Sequence, residues 1–383
     1  MKKKMALLLI LIMTLSLAAC GSPAPAPAPS EEPAGETEAA AEGISDDGTF
    51  ELALITDIGT IDDKSFNQGS WEGLRDYAVD NGISHKYYQP SEKSTDAYLS
   101  AIELAVRGGA KVIVTPGFLF EEPIFIAQDQ YPDTHFILID GVPHNEDYTE
   151  FRTEPNVVGV LYAEEQAGFL AGYAAVKDGS RSLGFMGGMA VPAVVRFGYG
   201  FVQGAEYAAE ELGLAAGDVT INYHYTGGFD ATPEVQTLAA SWYQSGVDTI
   251  FACGGAVGNS VMAAAEQAGA KVVGVDIDQS GESETVITSA MKGLGASVYS
   301  TLEAFYAGSF PGGETIVMDA SNDGVALPMA TSRFESFSQA DYDAIFEMLV
   351  NDSDGIASSM LKDNDVDSAG AIPTEIVTVT LVN

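Results

Sequence analysis

Three side chains that together could hold a polar ring compound fall inside one short stretch, residues 54–71. They are the carboxylate of Asp57, the ring of Phe66 and the amide of Asn67. A carboxylate accepts from hydroxyls, an aromatic face stacks, and an amide reads a donor/acceptor edge. The same logic recurs further along the chain. Asp140 follows the apolar run 136–139, and Asp276-Ile277-Asp278-Gln279 follows the apolar run 271–275. Lys292, one of few cations in an acidic body, comes directly after another strand-like run, 286–289.

The elements that must position these groups are legible from periodicity. Residues 51–55 have strand length, and a polar, Gly-containing loop separates them from a helical period at Trp71, Leu74 and Ala78. Ser65 followed by Gln68 predicts a capping box that starts the helix at Phe66 and turns its first-turn amides toward the carboxyl end of the strand. Open α/β sheets bind their ligands at that edge. The same spacing also fits a βα turn in which Asp57 caps locally and Phe66 packs on the sheet.

Beyond this unit, strand-like runs at 86–89, 111–115, 136–139, 157–162, 183–186, 219–225, 249–253, 271–275 and 286–289 alternate with helical segments. That alternation predicts parallel sheets flanked by helices. Ser94 caps one helix, Pro192 opens another, and residues 163–175 form a small-residue helix suited to close packing. Phe197 lies early in the Pro192 helix, near the crevice edge, yet Phe197 and Phe201 at i and i+4 also fit a core stripe. Gly-rich turns follow several strands, among them residues 254–258, which include Gly255. Residues 315–318, 325–329, a helix capped by Ser338 and the alternating run 375–382 complete the chain.

Composition excludes several functions. The formal charge of −38 argues against a surface that binds nucleic-acid phosphates or anionic lipid. The dinucleotide and P-loop glycine signatures are missing, no Ser sits in a nucleophile elbow with a matching His, and four His without zinc spacing predict no metal centre. Asp62-Asp63 and Asp276-Ile277-Asp278 could still ligate Mg²⁺ or Ca²⁺, although strand-end carboxylates serve sugar hydroxyls as well. Cys253, inside the apolar run 249–253, reads as a buried thiol. A crevice of Asp, Asn, Phe and Gly suits a neutral polar ring compound that is held and released unchanged, with no cofactor and no catalytic residue.

The amino terminus predicts export. Lys2, Lys3 and Lys4 precede an apolar run that ends at Ala19, giving a signal peptide over residues 1–19. Leu17-Ala18-Ala19-Cys20 resembles a lipobox, which makes Cys20 the expected lipidation site and implies an extracytoplasmic, lipid-anchored (palmitate-type) protein at the cell membrane. Residues 20–48 then read as a disordered Pro/Ala/Glu tether with too few large apolar residues to fold. About 335 residues remain, enough for two domains.

Residues 58–74, with Asp62-Asp63-Lys64-Ser65-Phe66-Asn67-Gln68 and Trp71-Glu72-Gly73, resemble the signature of the basic membrane protein family, the purine nucleoside receptor type of substrate-binding lipoprotein. Matches at residues 131–140, 165–172, 192–204, 274–279 and 288–292 extend the resemblance over the body from Phe50 onward. The resemblance implies a type I periplasmic-binding-protein fold: two doubly wound α/β domains joined by three crossings. Residues 49–160 plus about 290–318 would form the N-terminal lobe, and 161–289 plus about 319–383 the C-terminal lobe. It also implies a monomeric receptor of an ABC importer that passes a nucleoside, purine favoured, to a membrane permease. By motif, Phe66 and Phe197 would stack the base, with Phe229 a competing aromatic. Asn67 and Asp140 would read the base edge, and Asp57, Gly255, Asp276 and Lys292 would take the ribose. A sugar or furanoside receptor is the alternative, and a metal-dependent nucleosidase a further one.

Overall fold

The computed structural model describes residues 48–382. The expected signal peptide, Cys20 and nearly all of the tether lie outside the described residues. From Leu52 onward, strand and helix alternate as β1 (Leu52–Ile55), α1 (Phe66–Asn81), β2 (His85–Tyr88), α2 (Thr95–Arg107), β3 (Val112–Pro116), α3 (Glu121–Gln130), β4 (His135–Ile139) and β5 (Val157–Tyr162). There follow α4 (Glu164–Lys177), β6 (Ser182–Gly187), α5 (Pro192–Glu211), β7 (Val219–Tyr225), α6 (Pro233–Gln244), β8 (Thr249–Cys253), α7 (Val257–Ala268), β9 (Lys271–Asp276) and β10 (Val286–Lys292). The chain ends with α8 (Leu294–Tyr306), β11 (Thr315–Met318), β12 (Val325–Ala326), α9 (Gln339–Val350) and β13 (Val377–Leu381).

These strands form two sheets. The first has the order β11-β5-β4-β3-β1-β2 and the second β12-β10-β9-β8-β6-β7-β13. Pairing is parallel throughout except for the short β12 against β10. Parallel sheets bury both faces under helices, so their central strands need unbroken apolar runs. β1, β3 and β8 are buried at every position, whereas the edge strand β11 alternates between exposed and half-buried residues.

The chain leaves the first sheet after β5, returns after β10 and leaves again after β11. Helix α8 then packs on α1 beside the first sheet, and its Leu294, Val298 and Leu302 join a core with Leu52, Trp71 and Leu74. The return falls at Gly293, because β10 continues in the second sheet as far as Lys292. Lys292 is therefore the last residue of a strand, paired with Val325, and not the first residue of the following loop.

Helices α4 and α5 pack backbone to backbone beside the second sheet. A Cβ placed on Gly168 would lie 2.0 Å from the Phe197 carbonyl oxygen, and one on Gly200 would lie 2.0 Å from that of Glu165. No side chain fits there, so the small residues of α4 set how closely α5 approaches. Ala normally improves a helix interior by about 1 kcal/mol over Gly. Here the overlap reverses the sign. Gly168→Ala is expected to lower stability by about 1–3 kcal/mol, measured by urea unfolding; a variant as stable as the parent would show that the two helices are free to separate.

Candidate functional site

The loop after β1 is built from carboxylates that bond their own backbone. Asp57 accepts from Gly59 N–H at 2.7 Å and from Asn67 Nδ2 at 3.0 Å, both through Oδ1. Its Oδ2 stays on the side of Gly117 and Phe66, where a Cβ added to the glycine would come within 3.6 Å of the oxygen and 3.7 Å of the ring. The local-cap reading of Asp57 thus describes one oxygen, which braces the turn, while the other is not used in these two bonds. Asn67 is more fully engaged. Its amide donates to Asp57 and to Asp63 Oδ2, and its Oδ1 accepts from Asp57 N–H at 3.3 Å, so its donors are used inside the chain.

The capping box expected of Ser65 and Gln68 does not form. Ser65 is the N-cap of α1 but makes no side-chain cap bond; Asp63 does the capping, accepting from the N–H groups of Ser65, Asn67 and Gln68. A carboxylate at a helix N-terminus satisfies several orphan donors and meets the positive end of the dipole. This frees the Ser65 hydroxyl, which donates to Asp276 Oδ2 at the end of β9 in the second sheet. Gln279 Nε2 donates to the Lys64 carbonyl at 2.6 Å, a second bond between the two halves.

At the centre lies Lys292, 3 % exposed. Its ammonium contacts Asp140 Oδ2 at the end of β4 and lies 2.9 Å from Glu164 Oε1 at the start of α4. The rings of Phe66, Tyr162 and Phe197 surround it, with centroids 5.2, 5.2 and 5.3 Å from Nζ. Asp140 and Asp276 both adopt left-handed backbone, φ 57° and 66°, a conformation Asp tolerates better than most residues. Burial disfavours the ammonium, but Asp140, Glu164 and Asp276 outweigh it and hold Lys292 above the ordinary lysine range. One cation cannot neutralise three buried carboxylates. Burial, with Glu164 adding repulsion and Lys292 opposing, pushes Asp140 up to about 7, and burial, again opposed by Lys292, pushes Asp276 up to about 6. Asp140 Oδ1 is buried with no hydrogen-bond partner among the described residues.

The structure therefore brings Asp140, Phe66, Phe197 and Lys292 together, joins Asp276 to them through Ser65, and sets Asp57 beside Phe66. Phe197 is 2 % exposed and packs edge-on against Phe251, 5.9 Å away, so it lines the cluster from within the core and does not offer an open face. Phe229 is half-buried. Its ring lies over Gly188, where a Cβ would come within 2.5 Å of it, and its Cβ is 3.7 Å from the position of one on Gly255. Gly255 has φ +56° in the turn before α7, a left-handed conformation that favours glycine, and a Cβ there would meet Phe229 only at ordinary van der Waals distance. Asp278 is spent on Ser280 N–H and Thr331 Oγ1, and Asp62 on Thr60 Oγ1. Among the described residues, no group of His, Cys, Asp and Glu is arranged to hold a metal ion. Sequence reasoning missed Glu164, Tyr162, Ser65 and Gln279 as site residues. Glu164 carried a usable signal, since it follows β5 as Asp57 and Asp140 follow β1 and β4.

Two parallel α/β sheets joined by three crossings, with charged and aromatic groups gathered at their shared edge, define a type I periplasmic-binding-protein fold. Solved structures agree. An ABC-transporter solute-binding protein from Aeropyrum pernix K1 superposes with a TM-score of 0.65 at 24 % identity, covering 82 % of this chain and 83 % of that one. One from Conexibacter woesei DSM 14684 gives 0.63 at 25 %, covering 79 % and 97 %. The family described as ABC transporter substrate-binding protein PnrA-like matches residues 50–351, and the chain belongs to that family. Similar relatives include the ABC transporter nucleoside-binding protein BmpA of Lactococcus lactis, 29 % identical over 309 residues, covering 75 % of this chain and 83 % of that protein. Basic membrane protein D of Borreliella burgdorferi is 29 % identical over 303 residues, covering 77 % and 84 %.

The raised carboxyls have a signed consequence. A folded-state value above the ordinary 3.8 means that the folded protein keeps a proton the unfolded chain has lost. The contribution of Asp140 to stability is therefore fully present below about pH 4 and lost as pH rises through about 7. The Tm of the parent relative to Asp140→Asn is expected to fall across that interval in thermal melts. A difference that stays flat with pH would show that Asp140 titrates as an ordinary carboxyl.

Proposed function

We propose that this protein is the extracytoplasmic receptor of an ABC importer, and that it captures a nucleoside, purine favoured, between its two sheets and delivers it to a membrane permease. The observation that carries this reading is the convergence on one buried ammonium of groups from both halves: Asp140 and Phe66 from the first, Glu164 and Phe197 from the second. Such a centre pairs carboxylates and a cation, suited to ribose hydroxyls, with ring faces suited to a base. The name of the Lactococcus lactis relative, a nucleoside-binding protein, supports the same ligand class.

In this reading residues 49–160 with about 290–318 form one closing lobe, and 161–289 with about 319–383 the other. The sheet topology supports moving the second crossing to Gly293. Phe66 supplies one face for the base, and the half-buried Phe229 supplies the opposing face better than the enclosed Phe197. Asp57 Oδ2, Asp276 and Lys292 serve the sugar, Asp140 Oδ1 reads a donor of the ligand, and Asn67 braces Asp57. In this reading no bond of the ligand is broken: the site carboxylates are engaged by Lys292, Ser65 and a backbone amide, as groups that hold a ligand in place. A lipid on Cys20 would tether a monomeric receptor at the membrane.

Titration calorimetry with inosine, adenosine, uridine and galactose tests the ligand, and chromatography for released hypoxanthine tests for hydrolysis. Binding of inosine without turnover is expected; binding of the sugar alone, or release of base, would overturn the reading. Phe66→Ala and Phe229→Ala are each expected to weaken inosine by about 1–3 kcal/mol, the range for a base stacked on an aromatic side chain. Unchanged affinity in either variant would remove that ring from the site.

A further inference from the structure

The two carboxylate oxygens of Glu164 point in different directions. Oε1 meets Lys292, and Oε2 lies 3.5 Å from Arg196 Nη1 on α5. Arg196 in turn places its Nε 2.6 Å from Asp363 Oδ1. Asp363 belongs to the segment after α9, which is fastened over α4 and α5 by several independent contacts. Gln203 exchanges bonds with both backbone groups of Leu361, at 3.0 and 2.8 Å, Tyr199 donates to the Val366 carbonyl, and Lys362 lies 3.0 Å from the buried Glu165. Opposite charges therefore alternate without a gap from the centre of the site to the C-terminal segment: Lys292, Glu164, Arg196, Asp363.

We propose that Glu164, Arg196 and Asp363 are positioning residues for Lys292, so that the C-terminal segment fixes the direction in which the buried ammonium presents itself to a ligand. An ammonium has three donors on a flexible four-carbon stem. Asp140 accepts one of them and the Glu164 carboxylate holds the ammonium from 2.9 Å as an ion pair, which leaves the remaining donors aimed toward the space those carboxylates do not fill. Without Glu164 the ammonium is held from one side only and can rotate about Asp140. Glu164 itself could turn its carboxylate, and Arg196 prevents this by engaging its second oxygen. Arg196 cannot follow such a turn because Asp363 holds its Nε. The planar guanidinium suits this role, since it presents donors in two directions at once.

The effect on ligand rests on the nucleoside reading, whereas the arrangement of the ammonium does not, so the two are tested separately. In the full chain, inosine and 2′,3′-dideoxyinosine are compared by calorimetry. The parent is expected to prefer inosine. Glu164→Gln is expected to weaken inosine about tenfold or more while barely changing the dideoxy compound, so that the preference collapses, as coupled groups behave in a double-mutant cycle. Asp363→Asn and Arg196→Met are expected to do the same in smaller degree, and Arg196→Lys to recover part of the loss. Equal weakening of both compounds would mean a general structural role and would overturn the proposal. The second measurement is the ¹⁵N–¹H signal of the Lys292 ammonium, assigned by its loss in Lys292→Met. It is expected to shift in Glu164→Gln and in Asp363→Asn, both judged folded by circular dichroism. If the parent binds neither compound the nucleoside reading fails, while the ammonium signal still decides the relay; a signal unmoved in both variants would overturn it.

Discussion

The buried ammonium of Lys292 is the interaction on which the rest of the structure depends. A lysine taken out of water without partners shifts toward the neutral form or unfolds its surroundings. Asp140, Glu164 and Asp276 hold this one above the ordinary lysine range, and it in turn opposes the upward push of burial on Asp140 and Asp276. Neither side is stable alone. Removing one member of a buried ionic group typically costs about 3–5 kcal/mol, since the charge left behind keeps its desolvation penalty. The cluster therefore joins the ends of β4 and β10 and the start of α4 into a single electrostatic unit spanning both sheets.

That unit needs its surroundings to be rigid. The close packing of α4 on α5, with no room for a Cβ at Gly168 or Gly200, fixes Glu164 relative to Phe197 and Arg196. On the other side, α1 approaches α8 nearly as closely, a Cβ on Gly73 falling 2.4 Å from the Gly295 carbonyl oxygen. This contact sets Ser65 and Phe66 at the head of α1 against the crossing at Gly293. Small residues along two helix pairs thus govern where these five side chains lie.

The fold was largely legible from sequence because its signals are local. Buried parallel strands require continuous apolar runs, and Ser94 and Ser338 cap their helices as the spacing indicates. Strand-end carboxylates were visible for the same reason. Ser65 shows the limit. Its spacing to Gln68 satisfies a capping box, but Asp63 competes for the same amides and, being charged, wins them. Phe197 shows another limit: i,i+4 periodicity fits a core stripe and a binding face equally, and the folded chain gives the ring both a core neighbour, Phe251, and the buried Lys292 ammonium.

By itself the sequence determined the two α/β sheets, the strand ends at which Asp57, Asp140, Asp276 and Lys292 had to lie, and the family signature around Phe66. Each follows from spacing within a few tens of residues. Only the tertiary structure decided that Lys292 is shared by Asp140 and Glu164, that Ser65 reaches Asp276, and that Arg196 links Glu164 to Asp363. These partners are 152, 128, 211, 32 and 167 residues apart in the chain. No local periodicity encodes such pairings, because they arise where separate elements pack and a buried charge takes whatever opposite charge the packing delivers.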